Sequence, residues 1–590
     1  MDHPKAATVT TNSMQNSRPL APTAITERIE ALDVIRGFAL IGVLLMNIEF
    51  FNRYTGDSSM GMAPGLSGAN LWFSYFVQYF VTGKFWTIFS MLFGMGFAVM
   101  LTRAEAAQRS FLGPYVRRII ALAVFGALHY VLLWNGDILF GYAATAAGLL
   151  IVLYGRGKYI LLGIVAFAGI AAVPGLSESA VIAVSLAYFG VLAWYLRCPD
   201  RIIVFKRSVP IFKIVVGVLI TASVVAILVG LLVPGLPPEV RMMAPIMGAL
   251  ALGFGLLMAR FHGKTEGRAL HMGVGLYSVT MLMITCIGAA QYWFPNPDKA
   301  LMQTTPAAVG APAVAKPAVA APAAAKPAAG ASATPQTEAE RIAEKRKKRA
   351  EMLAERKVEK DRELRVLTKG SYLDVISLRG EKFVKDAPGQ FGFATQVITM
   401  FLIGLWFVRS GIMVNPGAHL PLFRKLVLIA LPLGIGLGLA GSQIATVGMP
   451  GTMDESNGFM FATGLLMLGN LPASIGYIAL VVLLLNSRSV FSRISILGPY
   501  GRMALTNYLT HSLVFSFIFY GYGLGYFGIE RIWQLACVCA MVLVQIPLSH
   551  LWLSRFRYGP MEWLWRAITY WHIPAMRITP AARAGAVQPA

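Results

Sequence analysis

The sequence predicts an all-α protein: a polytopic transmembrane helical bundle of about fourteen spans, interrupted by a long flexible periplasmic linker. Three observations carry this. The 590 residues are 56% hydrophobic and only 13% charged, with mean hydropathy +0.62, where a soluble protein carries about 25% charged residues. Many apolar runs reach the roughly 20 residues that cross about 30 Å of hydrocarbon. Lys and Arg collect in the short loops between those runs, as in a chain oriented by its cytoplasmic charges. An outer-membrane barrel would show short alternating strands instead.

In chain order, residues 1–30 form a polar tail rich in Thr, Pro and Ala, expected to be disordered and cytoplasmic. The first apolar run is flanked by Asp33 and Arg36 and lacks an A-x-A cleavage pattern, so it reads as a retained span. Spans are predicted at 34–51, 82–101, 119–135, 138–154, 159–174, 179–196, 213–233, 244–260, 271–293, 393–411, 424–446, 459–485, 503–525 and 531–553. The aromatic segment 69–81 lies at the interface or extends the second span. These group into an N-terminal membrane bundle (31–158), additional spans (159–293), a linker (294–370), a C-terminal membrane domain (371–570) and a cytoplasmic tail (571–590).

Loop charge places both termini inside. Arg117 and Arg118, Arg260 and Lys264, Arg424 and Lys425, Arg488 and Arg493, and Arg555 and Arg557 then fall on one side. The linker lies outside although it is basic, because long loops translocate largely regardless of charge. Its Ala-Pro-Lys repeats (306–335) favour an extended spacer. Residues 337–366 read as a charged helix with Glu344/Lys348 and Asp361/Arg365 spaced for i,i+4 pairing. No apolar face there is wide enough for a core. A solvated helix and a contact with an anionic surface both fit it.

The net charge of +23 is explained by those loops and does not point to nucleic acid. Cys198, Cys286, Cys537 and Cys539 show neither metal-ligand spacing nor a disulfide framework. No P-loop, zinc motif, nucleophile elbow or dinucleotide fingerprint occurs in a fitting context.

Polar groups inside apolar spans are functional suspects, because a bilayer makes them costly. In ALDVIRGFALIGVLLMN (31–47), Arg36 follows Asp33 at pairing distance. Asn47 lies eleven residues on, roughly 16 Å along the axis. Arg36 is either a snorkelling side chain or a ligand for phosphate groups from the cytoplasm. In GKFWTIFSMLFGMGFAVM, Lys84 marks the outer end and is expected to line an outer-facing site. Gly94 and Gly96 permit close helix contact. In RRIIALAVFGALHYVLLWNGDILFGYA (117–143), His129 lies past mid-membrane and Asn135, Gly136 and Asp137 form an outer turn. A His beside a carboxylate suits a general base, and equally a helix-packing hydrogen bond. In GPYGRMALTNYLTHS, Arg502, Asn507 and His511 form a second polar stripe nearer the cytoplasm, an entry path for a ligand or a bundle interface. The segment RFRYGPMEWLWRAITY reads as an interfacial anchor.

The motifs LDVIRGFALIGVLLMN, GKFWTIFSMLFGMGF, RR…GALHYVLLWNGDIL and GRMALTNYLTHS…GPMEWLWR resemble the YeiB-like family of bacterial inner-membrane proteins, which carries domain of unknown function 418. The resemblance covers about 28–154 and 371–570 and implies a multi-pass inner-membrane location. The first span is also similar to those of transmembrane acyltransferases, among them the sugar-modifying family and heparan glucosaminide acetyltransferase. That similarity implies transfer of an acyl group from cytoplasmic acyl-CoA to a sugar across the membrane. In the sugar-modifying family an Arg and a His are separated by ten residues on an early span. Here the position after Arg36 with that spacing is Asn47, so another base is required, and His129 is the expected one.

Two functions follow. In the first, a membrane acyltransferase, Arg36 and Arg502, with Asn507 and His511, hold acyl-CoA. His129, oriented by Asp137 or Asn47, deprotonates an envelope glycan or related acceptor that also meets Lys84 and Asn135. Asn47 alternatively stabilises an oxyanion. In the second, a transporter, the same residues form a midplane substrate site. A structural membrane partner, tethered by its spacer, is the blandest third reading. The expected partners are the lipid bilayer and the acceptor, with no metal.

Overall fold

The computed structural model describes residues 29–54, 62, 65–198, 202–204, 207–236, 238–261, 263, 267–294, 338–445 and 458–578. Among these, eleven helices are long and apolar enough to cross a membrane, and three shorter apolar helices accompany them. Each of the fourteen predicted spans meets one of these helices, with edges shifted by a few residues. The chain is a multi-pass membrane protein.

The order begins α1 Glu30–Asn52, α2 Gly68–Phe76, α3 Lys84–Ala106, α4 Leu112–Leu128, α5 Leu139–Tyr154, α6 Gly157–Ala171 and α7 Ser179–Arg197. A hairpin of β1 Ile202–Val204 and β2 Arg207–Val209 follows, paired antiparallel with Ile202 opposite Val209. It is a small departure from the all-α expectation, in a stretch rich in β-branched residues. Then come α8 Ile211–Leu232, α9 Pro238–Phe261 and α10 Arg268–Trp293. The Ala-Pro-Lys spacer at 306–335 lies outside the described residues; from 338 on stand α11 Glu338–Lys369, α12 Tyr372–Asp386, α13 Gly389–Arg409, α14 Leu420–Ile444, α15 Phe459–Leu485, α16 Leu497–Arg502, α17 Ala504–Phe519, α18 Arg531–Leu553 and α19 Pro560–Tyr570.

One continuous core joins the first and last thirds of the chain: Val34, Ile35, Met91, Leu149, Val397, Phe401 and Tyr500 belong to a single buried cluster. Helix crossings rely on glycine where backbones nearly touch. A Cβ on Gly94 would stand 2.1 Å from the Phe401 carbonyl oxygen, and one on Gly404 would stand 2.0 Å from that of Met91, so α3 and α13 meet through reciprocal glycines. Gly96 is different: its nearest neighbour is an Arg118 guanidinium nitrogen at 4.0 Å, across open space.

The spans from 159 to 293 are not uniformly peripheral. Helices α6 and α8 expose Leu161, Leu162, Val165, Val218 and Leu232, as lipid-facing helices do. Helix α10 instead enters the bundle, with Gly273 against the Thr399 carbonyl and Gly288 against Phe461.

The charged helix also departs from expectation. The Glu344–Lys348 pair forms at 2.7 Å. Near its end, however, α11 buries Leu367 beside Val375 of α12, in a cluster with Leu44, Ile48, Phe51, Trp134, Phe515 and Phe519. The apolar face was invisible because its residues come from two helices, not one. Ser371 begins α12 with a capping box: its hydroxyl accepts from the Asp374 N–H at 3.3 Å, and the Asp374 carboxylate accepts from the Ser371 N–H at 2.8 Å.

Candidate functional site

The bundle encloses a cavity of about 760 Å³. Helix α1 runs along it, so that Arg36 and Asn47 mark its two ends. At the Arg36 end the wall carries Arg103, Arg118, Arg502, Arg557 and Arg566, with Asp33 and Glu562 as the acidic groups. Leu40, Val43, Phe89, Leu92 and Phe93 line the middle. At the Asn47 end stand Gln78, Trp134, Gly136, Asp137 and Asn470.

The arginine end is assembled from five regions of sequence. Arg36 Nη1 donates to Asp33 Oδ1 at 2.5 Å on α1. Gly501 allows α16 to lie against that turn, since a Cβ there would be 1.9 Å from the Asp33 carbonyl oxygen. Arg118 stacks over Trp565 at 4.3 Å, and the Trp565 indole donates to the Arg118 carbonyl at 3.1 Å. Arg566 stacks over Tyr558 at 4.7 Å. Arg502 donates to the Arg557 carbonyl at 3.4 Å. Glu562 accepts from the Leu505 N–H at 2.7 Å, the Thr506 N–H at 3.1 Å and the Thr506 hydroxyl at 2.6 Å, which caps α17. Burial raises the Glu562 carboxyl above its ordinary range, against those hydrogen bonds. With arginines outnumbering carboxylates, this end favours an anion with several negative oxygens.

The opposite end is built on a π-helical turn. After α4 the backbone widens over His129–Leu133, and the Trp134 N–H donates to the His129 carbonyl at 2.8 Å. Such turns commonly mark functional positions. His129 Nδ1 lies 2.8 Å from Asp137 Oδ1, and its Nε2 lies 2.7 Å from Ser512 Oγ. In the neutral imidazole the carboxylate makes Nδ1–H the donor to Asp137, and Nε2 is then the acceptor for the Ser512 hydroxyl. Asp137 Oδ2 accepts from the Phe140 N–H at 2.8 Å, which pins the turn to the start of α5. Gly126 makes this fit possible: a Cβ there would stand 2.4 Å from Phe140 N and 2.8 Å from Asp137 Oδ2.

The predicted site residues divide. Arg36, Arg502, Asn47 and Asp137 line the cavity. His129 does not reach the wall, and the Asp137 side chain that it meets is fully buried as well. Asp137, not Asn47, is its orienting partner. Lys84 is fully buried, donates to the Thr82 carbonyl at 3.2 Å, and leaves the wall to Thr82 and Gly83. Asn135 is likewise off the wall, between Trp134 and Gly136, which line it.

Asn507 and His511 lie apart from the cavity. Asn507 donates to the Tyr500 carbonyl at 3.0 Å and to Ser549 at 3.2 Å, and His511 Nε2 is 2.7 Å from Gln545 Oε1. The bundle-interface alternative describes them: this stripe holds α16, α17 and α18 together, and the entry-path expectation is corrected.

Sequence reasoning missed Arg118, Arg557, Arg566 and Glu562 as wall residues, having read them as loop charges or an interfacial anchor. It also missed Ser512, Gln78 and Asn470. Glu49 was overlooked as well: it lies 2.6 Å from Arg53 and 2.9 Å from Arg531, whose Nε donates to Ser74 at 3.0 Å. A carboxylate inside the first span was the signal available for it.

The outer helices bear on the π-turn. The Tyr130 hydroxyl donates to Asp386 at 2.6 Å, and the Tyr372 hydroxyl donates to the Leu132 carbonyl at 2.9 Å. Helix α12 therefore braces the segment that presents His129.

The chain is similar to bacterial proteins. The chain is 24% identical to the uncharacterized protein YxaH of Bacillus subtilis (strain 168) over 562 residues, 93% of this chain and 96% of that one. It is 35% identical over 127 residues to an uncharacterized 39.9 kDa protein in the amylase 3' region of Bacillus acidopullulyticus, 21% of this chain and 33% of that one. It is 41% identical over 96 residues to the uncharacterized protein YeiB of Escherichia coli (strain K12), 16% of this chain and 25% of that one. No solved structure matches. Residues 407–572 match the model of a protein family of unknown function, DUF418.

Proposed function

We propose that this protein is a membrane acyltransferase that takes an acyl group from acyl-CoA at the Arg36 end of the cavity and passes it to a polar acceptor at the Asn47 end. One observation carries the reading: a single cavity is lined by six arginines at one end and by Asn47 and Asp137 at the other, where the Asp137 carboxylate is buried against His129. The arginines suit the phosphates of the donor. The apolar middle suits a thioester and its acyl chain. With the loop-charge orientation, the donor end faces the cytoplasm and the acceptor end the envelope, where a glycan is the expected acceptor.

At the acceptor end, the His129–Asp137 pair behind the wall takes the hydroxyl proton of the acceptor. The acceptor oxygen bonds to the thioester carbonyl carbon, the carbon–sulfur bond breaks, and the CoA thiolate leaves and is protonated. Asn47 is placed to donate to the carbonyl oxygen as charge develops on it. Transport without acyl transfer is the second reading, because the cavity serves both polar ends.

Acetyl-CoA binding to the purified protein tests the reading. Saturable binding weakened in Arg36→Ala supports it. Flux of a polar solute through proteoliposomes with no acylated product supports the transporter instead.

A further inference from the structure

We propose that Gln78 and Asn470 form a subsite for a neutral, hydroxyl-bearing ligand of the sugar or polyol class at the Asn47 end of the cavity. Gln78 sits in a second π-helical segment, Val77–Val81, closed by the Thr82 N–H donating to the Val77 carbonyl at 2.8 Å. Gly83 follows with φ +83°, and a Cβ there would stand 2.1 Å from the Asn470 amide nitrogen. This left-handed, side-chain-free position is what allows the Asn470 amide to approach the turn.

Both amides line the cavity, and both residues are more than nine-tenths buried, at 5% and 6% exposure. Gln78 Nε2 and Asn470 Oδ1 are buried without a hydrogen-bond partner among the described residues. A buried polar atom left unpaired is costly, and each such atom in a native fold asks for an explanation. Here two of them, one donor and one acceptor, belong to residues that line the same cavity. A hydroxyl answers both, accepting from Nε2 while donating to Oδ1.

Charge selects the ligand class. Lys84, the nearby cation, is fully buried off the wall with its Nζ on the Thr82 carbonyl. Asp137 at this end has its carboxylate fully buried on His129 and the Phe140 N–H, so it offers the cavity no exposed charge. The Gln78 donor disfavours a cation. Trp86 on the same wall adds a flat apolar face. Helix α3 runs about 30 Å from Gly83 to Arg103, so the subsite stands far from the arginines.

The inference deepens the proposed transfer and rests on that reading only in naming the ligand as the acceptor. The test uses full-length protein in nanodiscs, with tritiated methyl β-D-glucopyranoside and acetyl-CoA as separate probes. Saturable glucoside binding is expected, weaker by about tenfold in Gln78→Leu and in Asn470→Leu. Acetyl-CoA affinity is expected to be unchanged in both variants, which also shows that they fold. Glucoside affinity within twofold of wild type in both variants overturns the subsite. So does absence of glucoside binding by a wild-type protein that binds acetyl-CoA. Glucoside binding lost in monodisperse variants, from a wild type that binds no acetyl-CoA, sustains the subsite and removes the transfer reading.

Discussion

The carboxylate of Asp137 is fully buried against the imidazole of His129, with Oδ1 2.8 Å from Nδ1, while its residue lines the cavity. The pair is held from both sides, by Ser512 on Nε2 and by the Phe140 N–H on Oδ2. A histidine beside an acid at the end of a span was the expectation. That both side chains are fully buried, with every hydrogen bond of the pair made inside the bundle, is the finding.

Asp137→Asn keeps the shape and removes the charge. Turnover of acetyl-CoA is expected to fall by about 10²-fold or more, as for loss of a general base, with little change in thermal midpoint. His129→Gln is expected to follow the same direction. Wild-type turnover in Asp137→Asn would remove the pair from the mechanism.

Gly126→Ala tests the packing behind the pair. The added methyl must displace the start of α5 and the Asp137 carboxylate. The expected cost is about 1–3 kcal/mol of stability, read as a lowered thermal midpoint, together with reduced turnover. Gly157, whose Cβ would meet open space, is the control, and Gly157→Ala should change neither.

The brace from α12 is separable from the site. Tyr130→Phe and Tyr372→Phe each remove one hydroxyl hydrogen bond to the π-turn region, expected to cost about 1 kcal/mol apiece. Faster amide exchange over Tyr372–Asp386 in the double variant is the readout. Unchanged exchange would show that the apolar cluster around Leu367 and Val375 suffices.

Acid should loosen the start of α12. Hydrogen bonds from the Ser371 hydroxyl and N–H hold the Asp374 carboxyl below its ordinary value. A lowered folded value means that the capping contribution is complete above the ordinary Asp range and is lost as pH falls through the folded value. Amide exchange near Ser371 should rise over that acidic window in wild type and be insensitive to it in Asp374→Asn.

Much of this was legible from residues alone, for identifiable reasons. Spans such as Phe459–Leu485 are written in local composition, and the Asp33–Arg36 and His129–Asp137 pairings lie within eight residues. The cavity wall is not local. Arg118 meets Trp565 across 447 residues, and His129 meets Ser512 across 383. Neither partnership leaves a periodic trace. Lys84 shows the converse error: an exposed-looking cation at a helix start is fully buried because Ser474 draws its backbone against α15 with a 2.8 Å hydrogen bond.

The central claim is that one cavity joins a polyanion-binding end to the His129–Asp137 pair for acyl transfer. Release of CoA thiol from acetyl-CoA, with a glucoside acceptor present, measures it most directly. The account predicts acceptor-dependent thiol release by wild type, and loss of that release in both Arg36→Ala and Asp137→Asn at equal protein abundance. Equal release by wild type and Asp137→Asn, or none from a wild type that binds both probes, would contradict it.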